Sequence, residues 1–418
     1  MLIKNGRIID PESRRDEIAD ILIKEDIISK IDKNINAEDE VIDAEGKIVA
    51  PGLIDIHVHF REPGFTYKED IISGSRAASR GGFTTVVCMA NTNPAVDNIE
   101  TLNYINELKK HSIINIIQTA AVTKQLKGTE IVNMEELKKY GAAGFTDDGL
   151  PIMDTRIVLN AMLEAKRLNV PISFHEEDPR LISNPGINEG RVSEILCLKG
   201  APQIAEDVMI ARDCLIALNT GAKVNFQHIS SGLSVDIIRW AKSMGANITA
   251  EASPHHFSMT EEDVLIYNTN AKMNPPLRTE EDRMKIIEGL KDGTIDIIAT
   301  DHAPHSIEEK NREFDKAPSG IIGLETALSV GITYLVKNQH LTIMQLLEKM
   351  TINPAKLYNL ESGVTEGKKC DLVIFDADEK WTVDKFFSKS SNSPLMGKEM
   401  QGKVKYTICN GKVVYRDK

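Results

Sequence analysis

The sequence predicts an α/β fold: a (β/α)8 barrel with a small β domain built from both chain termini. Three observations carry this. From Leu53 to about Tyr358, eight short apolar runs alternate with helical stretches. Both ends of the chain instead read as β structure, each with an Asn-Gly dipeptide between apolar residues. Histidines and acids collect at the C-terminal ends of the eight runs. Strands alternating with helices imply parallel pairing, and eight such units close into a barrel whose chemistry sits at the C-terminal strand ends.

Taken in order, residues 1–51 begin with Leu2–Lys4 and Arg7–Ile9 flanking Asn5-Gly6, a two-residue hairpin signal. Asp20–Ile23 and Ile27–Ile31 follow as short strands, and Pro51-Gly52 marks the exit. The barrel occupies residues 52–359. Its apolar runs are Leu53–Phe60, Thr84–Asn91, Asn115–Val122, Ala142–Asp148, Val170–His175, Lys223–His228, Asn247–Ala252 and Ile295–Thr300. Helical stretches such as Asp154–Leu168, Gln203–Asn219 and Gly232–Met244 separate them, the TIM-type order. In residues 360–418 the β pattern returns at Asp371–Phe375 and Tyr406–Cys409, and Asn410-Gly411 leads into Lys412–Tyr415. The two end segments are expected to pair into one composite domain.

Composition narrows the function. The chain has 418 residues, 41% hydrophobic and 27% charged, as in an ordinary soluble globular protein. Its net charge of −12 argues against nucleic acid or an anionic membrane surface as partner. An anionic substrate would need local positive charge supplied by the site. The five cysteines form no Cys-x-x-Cys pair, which suits reduced thiols in a cytoplasmic protein. The N-terminus lacks a signal-peptide pattern, and no apolar run is long enough to span a membrane.

The stretch Leu53–Gly64 reads as a buried strand ending in His57, His59 and Arg61. Alternation puts His57 and His59 on one face, where two imidazoles can hold one metal ion. The other strand ends add Asn91, Asp147-Asp148-Gly149, His175-Glu176-Glu177-Asp178, His228, His255-His256 and Asp301-His302-Ala303-Pro304-His305. Seven of the ten histidines fall at these ends, apart from His302, which should point away from Asp301. His57, His59, His175, His228, an acid from the fourth strand and Asp301 form an N/O donor set suited to zinc or another first-row divalent ion. Six donors exceed one tetrahedral catalytic zinc and are enough for two metals about 3.5–4 Å apart. Singly, each has an ordinary use: His175 and His228 as core histidines, Asp147-Asp148-Gly149 as a turn and cap, Asp301 as a cap. The joint pattern is what points to a metal centre.

The strings Asp55-Ile56-His57-Val58-His59-Phe60-Arg61-Glu62-Pro63-Gly64, Met89-Ala90-Asn91-Thr92-Asn93-Pro94, Phe145-Thr146-Asp147-Asp148-Gly149, His175-Glu176-Glu177-Asp178, His228-Ile229-Ser230 and Thr300-Asp301-His302-Ala303-Pro304-His305 resemble class I dihydroorotase, of the amidohydrolase superfamily. The resemblance runs the length of the chain, and the first string is its most specific element. It implies reversible closure of N-carbamoyl-L-aspartate to dihydroorotate in pyrimidine biosynthesis. It implies two Zn²⁺ per subunit: the first on His57, His59 and Asp301, the second on His175 and His228, with Asp148 bridging. Many relatives in the superfamily bridge with a carboxylated lysine, whereas here an Asp takes that place. The resemblance further implies that His59, Arg61, Asn91, Asn274, His305, Ser319 and Gly320 contact the substrate.

The chemistry agrees with these residue types. Opening a cyclic amide needs a strong nucleophile at neutral pH, which metal-activated hydroxide supplies. Asp301 can shuttle the proton to the leaving nitrogen. Arg61 offers the anionic substrate the bidentate partner that an acidic protein otherwise lacks. The alternative readings are another cyclic amidohydrolase (a hydantoinase, dihydropyrimidinase or allantoinase) or a non-catalytic paralogue. A homo-oligomer and an association with aspartate transcarbamoylase follow from family analogy alone.

Overall fold

The computed structural model of the chain describes residues 1–36 and 40–417; residues 37–39 and 418, which fall in the two terminal segments, lie outside the described residues. Among the described residues, five strands precede the barrel: β1 (Leu2–Asp10), β2 (Arg15–Lys24), β3 (Ile27–Asp32), β4 (Val41–Asp43) and β5 (Ile48–Pro51). The barrel strands are β6 (Leu53–Val58), β7 (Phe83–Cys88), β8 (Asn115–Gln118), β9 (Phe145–Thr146), β10 (Ile172–Phe174), β11 (Val224–Phe226), β12 (Ile248–Ala252) and β13 (Ile297–Ile298). Three more close the chain: β14 (Leu372–Thr382), β15 (Glu399–Cys409) and β16 (Lys412–Arg416). Each barrel strand lies within or against one of the eight apolar runs, but most are shorter than the run. The run continues as a non-strand segment that carries the polar end residues.

The barrel is built from two parallel sheets, β6-β7-β8 and β9-β10-β11-β12-β13. Parallel bridges close it at both seams, Ala120 with Phe145 and Val58 with His302. At the second seam His59 N–H donates to the His302 carbonyl at 3.0 Å. Asp55 adds a side-chain tie there, accepting from His57 N–H at 3.0 Å and from Thr300 N–H at 3.2 Å. The strand that carries His57 and leads into His59 is thus pinned against the segment after β13 that leads to Asp301.

Strands from both termini form one sheet in the order β16-β15-β14-β5-β1-β2-β3, with β4 also on β1. It is sealed by a core including Ile3, Ile8, Ile21, Val49, Leu372 and Ile374. β5 runs into β6 across Gly52 alone. A Cβ on Gly52 would lie 2.1 Å from Thr84 Oγ1, so the residue there must be glycine for the strands to approach. β5 is held on one side by β1 and on the other by β14, so the terminal sheet fixes the direction in which the first barrel strand starts.

The two Asn-Gly signals have different outcomes. Asn410-Gly411 is a hairpin turn joining β15 to β16, with both residues at positive φ as a type I′ turn requires. Asn5-Gly6 is no hairpin: it lies inside the continuous strand β1, where the register against β2 shifts between Ile3 and Gly6. Asn5 still takes positive φ, but its N–H donates to Asp20 Oδ1 at 2.9 Å, and the chain bulges instead of reversing. Among the described residues no helix is long and apolar enough to cross a membrane. All five cysteines are free.

Candidate active site

At the C-terminal mouth of the barrel His57, His59, Asp148, His175, His228 and Asp301 converge, each at most 7% exposed. Asp148 Oδ1 lies 3.3 Å from His57 Nε2 and 3.9 Å from both His175 Nδ1 and His228 Nε2, while its Oδ2 lies 3.4 Å from His59 Nε2. Asp301 Oδ1 lies 3.0 Å from His59 Nε2 and 3.4 Å from His57 Nε2. Two groups have donor atoms mutually within 4.8 Å: His57, His59 and Asp301; and His57, Asp148 and His228. His175 stands at the margin of the second group, its Nδ1 2.9 Å from His228 Nε2.

The outer nitrogens of three of these histidines are tied down. His57 Nδ1 donates to Glu251 Oε2 at 3.1 Å, His59 Nδ1 to Asn91 Oδ1 at 2.9 Å, and His175 Nε2 to Glu177 Oε2 at 3.1 Å. With that N–H committed, a neutral imidazole turns its lone pair inward, as metal-binding histidines do. His57 Nε2 and His228 Nδ1 are buried without a hydrogen-bond partner. The orphaned His57 Nε2, 3.3 Å from Asp148 Oδ1 and 3.4 Å from Asp301 Oδ1, fits a divalent cation of the zinc type, so the residues present suit the group.

The electrostatics agree. Burial alone would depress the His57 pKa, but Asp301 and Asp148 more than reverse this and hold it well above the ordinary value. Burial opposes ionisation of Asp148, yet His57, His59 and His175 hold its pKa well below normal. At His228 burial wins, reinforced by His175 and His57, and its pKa falls well below the usual range. The carboxylates draw positive charge into the ring of histidines.

Three of the strand-end residues carry backbone strain. Arg61, His228 and Asp301 have φ of 59°, 31° and 47°, a region costly for side chains other than glycine. Such outliers persist where surrounding structure enforces them, and they gather at functional sites. Asp147 turns away from the histidines. Its Oδ1 accepts from Val122 N–H at 2.7 Å and Thr123 N–H at 3.0 Å, and its Oδ2 pairs with the Thr123 hydroxyl.

At the rim Arg61 donates from Nε to the Pro304 carbonyl at 3.2 Å, and its Nη2 lies 3.4 Å from His305 Nε2. His305 Nε2 is 3.0 Å from the Ser319 carbonyl. Asn274 Oδ1 accepts from the Ser319 hydroxyl at 3.2 Å. Asn91 is braced among the ligands, donating to Asp148 Oδ2 at 3.0 Å. Gly320 offers no free backbone group: its N–H donates to the Lys272 carbonyl, and its carbonyl accepts from Lys310 and Asn392. Its contribution is close packing, since a Cβ there would lie 2.6 Å from His305 Cδ2. The structure brings every expected site residue to one mouth. His302 lies outside it, with Nδ1 accepting from Gly323 N–H at 3.2 Å.

A model of the amidohydrolase family matches residues 48–414. The chain belongs to the amidohydrolase family. Among its relatives, the dihydroorotase of Clostridioides difficile is 64% identical over 418 residues, covering 99% of each chain. The dihydroorotase of Clostridium acetobutylicum is 58% identical over the whole of both chains. In solved structures, the L-hydantoinase of Arthrobacter aurescens superposes with a TM-score of 0.89 at 25% identity, over 99% of this chain and 96% of that one. A D-hydantoinase from Thermus sp. gives 0.86 at 27% identity, over 100% and 95%. By sequence the chain groups with the dihydroorotases of the family.

Two acids of this amidohydrolase escaped the reading of its sequence. Glu251 orients His57, and Glu177 orients His175. Glu251 had a signal: a carboxylate inside the apolar run Asn247–Ala252 that is buried completely must have a partner. Glu177 had only its place in an acidic string after His175.

Proposed function

We propose that the chain catalyses the reversible cyclisation of N-carbamoyl-L-aspartate to (S)-dihydroorotate and water, the ring-forming step of de novo pyrimidine biosynthesis. One observation carries the reading above the hydantoinase alternative. The carboxylate and histidine ring shares its mouth with the Arg61 guanidinium and the His305 imidazole, whose facing nitrogens lie 3.4 Å apart. A ring substrate with a carboxylate substituent needs such a pair, and a neutral hydantoin or dihydropyrimidine does not. On this reading residues 52–359 are the catalytic unit, and residues 1–51 with 360–418 are the β unit that anchors its first strand. Reduced cysteines accord with a cytoplasmic location, and family analogy alone suggests a homo-oligomer and an association with aspartate transcarbamoylase as matters for test.

His57, His59 and Asp301 would hold one Zn²⁺ and His175 and His228 a second, with the Asp148 carboxylate within reach of both sets. Bound there, the ions would polarise the amide carbonyl and acidify water. Glu251, Asn91 and Glu177 hold the imidazoles so that their lone pairs stay inward. In ring opening Asp301 takes the proton from the attacking water and delivers it to the amide nitrogen as the C–N bond breaks. In closure, with the side-chain carboxylate protonated from solvent, the ureido N–H passes its proton to Asp301 as the C–N bond forms, and Asp301 hands it to the departing hydroxyl, which leaves as water. Arg61, its Nε spent on Pro304, offers the Nη1/Nη2 end to the remaining carboxylate.

Metal-loaded protein should hydrolyse dihydroorotate and leave dihydrouracil, hydantoin and allantoin nearly untouched. Preference for a neutral ring would overturn the reading. Chelation to metal-free protein should abolish turnover, and Zn²⁺ should restore it; full activity in protein shown by elemental analysis to be metal-free would refute a metal centre. Arg61→Met should raise KM for both substrates about 10–100-fold through loss of a charge-assisted contact, with metal content unchanged. An unaltered KM would place the carboxylate elsewhere.

A further inference from the structure

Behind the rim stands a lysine with no part in the scheme above. Lys68 lies between Arg61 and the helix Ile71–Arg80 and is 9% exposed. Burying an ammonium is costly unless its protons are used. Its Nζ lies 3.0 Å from Glu309 Oε1 and 3.2 Å from His305 Nδ1. The second contact constrains the chemistry of His305. An ammonium only donates, so Nδ1 must present a lone pair to it. The Ser319 carbonyl only accepts, so Nε2, 3.0 Å away, must carry hydrogen. Together they select one neutral tautomer, with Nε2–H and bare Nδ1.

The opposite tautomer fits worse at both nitrogens. Nδ1–H would reach to Glu309 Oε2 at 3.3 Å, and Nε2 would accept from Arg61 at 3.4 Å, each longer than the contact it replaces. It would also set a lone pair against the Ser319 carbonyl. Protonating both nitrogens is opposed by burial, then by Arg61, Lys68 and Lys310, which take the His305 pKa down to about 2. Glu309 Oε1 is meanwhile occupied by Lys68 and by the Tyr67 hydroxyl at 3.0 Å.

We propose that Lys68 is a positioning residue for the reaction: by donating to Nδ1 it holds His305 as the Nε2–H tautomer, so that the hydrogen resting on the Ser319 carbonyl in the free protein is available to be shared with the substrate carboxylate beside the Arg61 guanidinium. This rests on the carboxylate-clamp reading of Arg61 and His305. Without the ammonium, Nδ1 takes the proton to reach Glu309. Nε2 then turns a lone pair toward the incoming anion. The site loses a donor and gains a repulsion at one atom, while the groups at Asp301 are untouched.

The tautomer is read directly from long-range proton–nitrogen correlation spectra of the zinc-loaded protein labelled with ¹⁵N-histidine, with His305 assigned by His305→Asn. Wild type should show His305 protonated at Nε2, and Lys68→Met should move the proton to Nδ1. KM for dihydroorotate should then rise about 10–100-fold, as for a lost hydrogen bond to a charged group, with kcat within about threefold of wild type. Lys68→Arg, still a donor, should keep the Nε2–H tautomer and recover most of the KM. A wild-type His305 protonated at Nδ1, or a Lys68→Met variant that keeps either the tautomer or the KM, overturns the proposal. Should Lys68→Met fail to fold, the wild-type spectrum and Lys68→Arg decide it, a changed tautomer in Lys68→Arg counting against. The spectra need no turnover. Zinc-loaded wild type that does not act on dihydroorotate would defeat the functional reading and not the tautomer assignment.

Discussion

Asp301→Asn should lower kcat in both directions by about 10²–10⁴-fold, the usual worth of a positioned general acid and base, while the protein keeps its metal. The separation of these effects follows from geometry. Asp301 Oδ1 faces His59 at 3.0 Å and His57 at 3.4 Å, where an amide oxygen of the same shape still offers a lone pair. What asparagine lacks is an oxygen that can gain and release a proton. Its left-handed backbone, φ 47°, is tolerated by asparagine as well as by aspartate, so the substitution adds no new strain. Turnover of dihydroorotate and of N-carbamoyl-L-aspartate, measured beside elemental analysis, checks both parts. Metal loss in Asp301→Asn would assign the residue to coordination alone, and near-normal turnover with metal retained would put the proton transfer elsewhere.

The barrel was legible because its signal is local and repeated. Each apolar run ends in polar side chains, so the mouth of the barrel, and with it the histidines, could be read from the sequence although most strands stop before their run does. The alternation that places His57 and His59 on one face is a property of six residues. Less legible were pairs made across the barrel. His57 and Glu251 meet from positions 194 residues apart, and periodicity shows which face a side chain takes but not what lies opposite. Lys68 is similar: in sequence it is one more charge in a loop, and only folding places its ammonium against His305, 237 residues away. Asn5-Gly6 and Asn410-Gly411 show the limit from another side. Asn5 and Asn410 both take positive φ, but only in the second pair does the glycine do so as well, as a type I′ turn requires, so only it reverses the chain.

Asp148→Ala and Asp147→Ala should separate metal binding from loop stability in two neighbouring residues. On the fourth strand end only one of the pair can face the barrel mouth. Asp148 takes that side: its two oxygens meet His57, His59, His175 and His228 within 3.9 Å. Asp147 takes the other and holds the backbone N–H groups of Val122 and Thr123. Removing Asp148 leaves four buried imidazoles facing one another without their central carboxylate, and two cations there would repel without a shared anion between them. Loss of outer partners of metal ligands already costs about 10–100-fold, so losing this one should cut turnover by at least about 100-fold and lower bound metal. Removing Asp147 strands two buried N–H donors at a cost of about 1–3 kcal/mol each, so that variant should unfold earlier yet bind metal and turn over far closer to wild type. Thermal unfolding, metal stoichiometry and turnover of the two variants side by side give the answer. Metal loss in Asp147→Ala, with Asp148→Ala spared, would mean that the fourth strand end presents the other acid to the histidines.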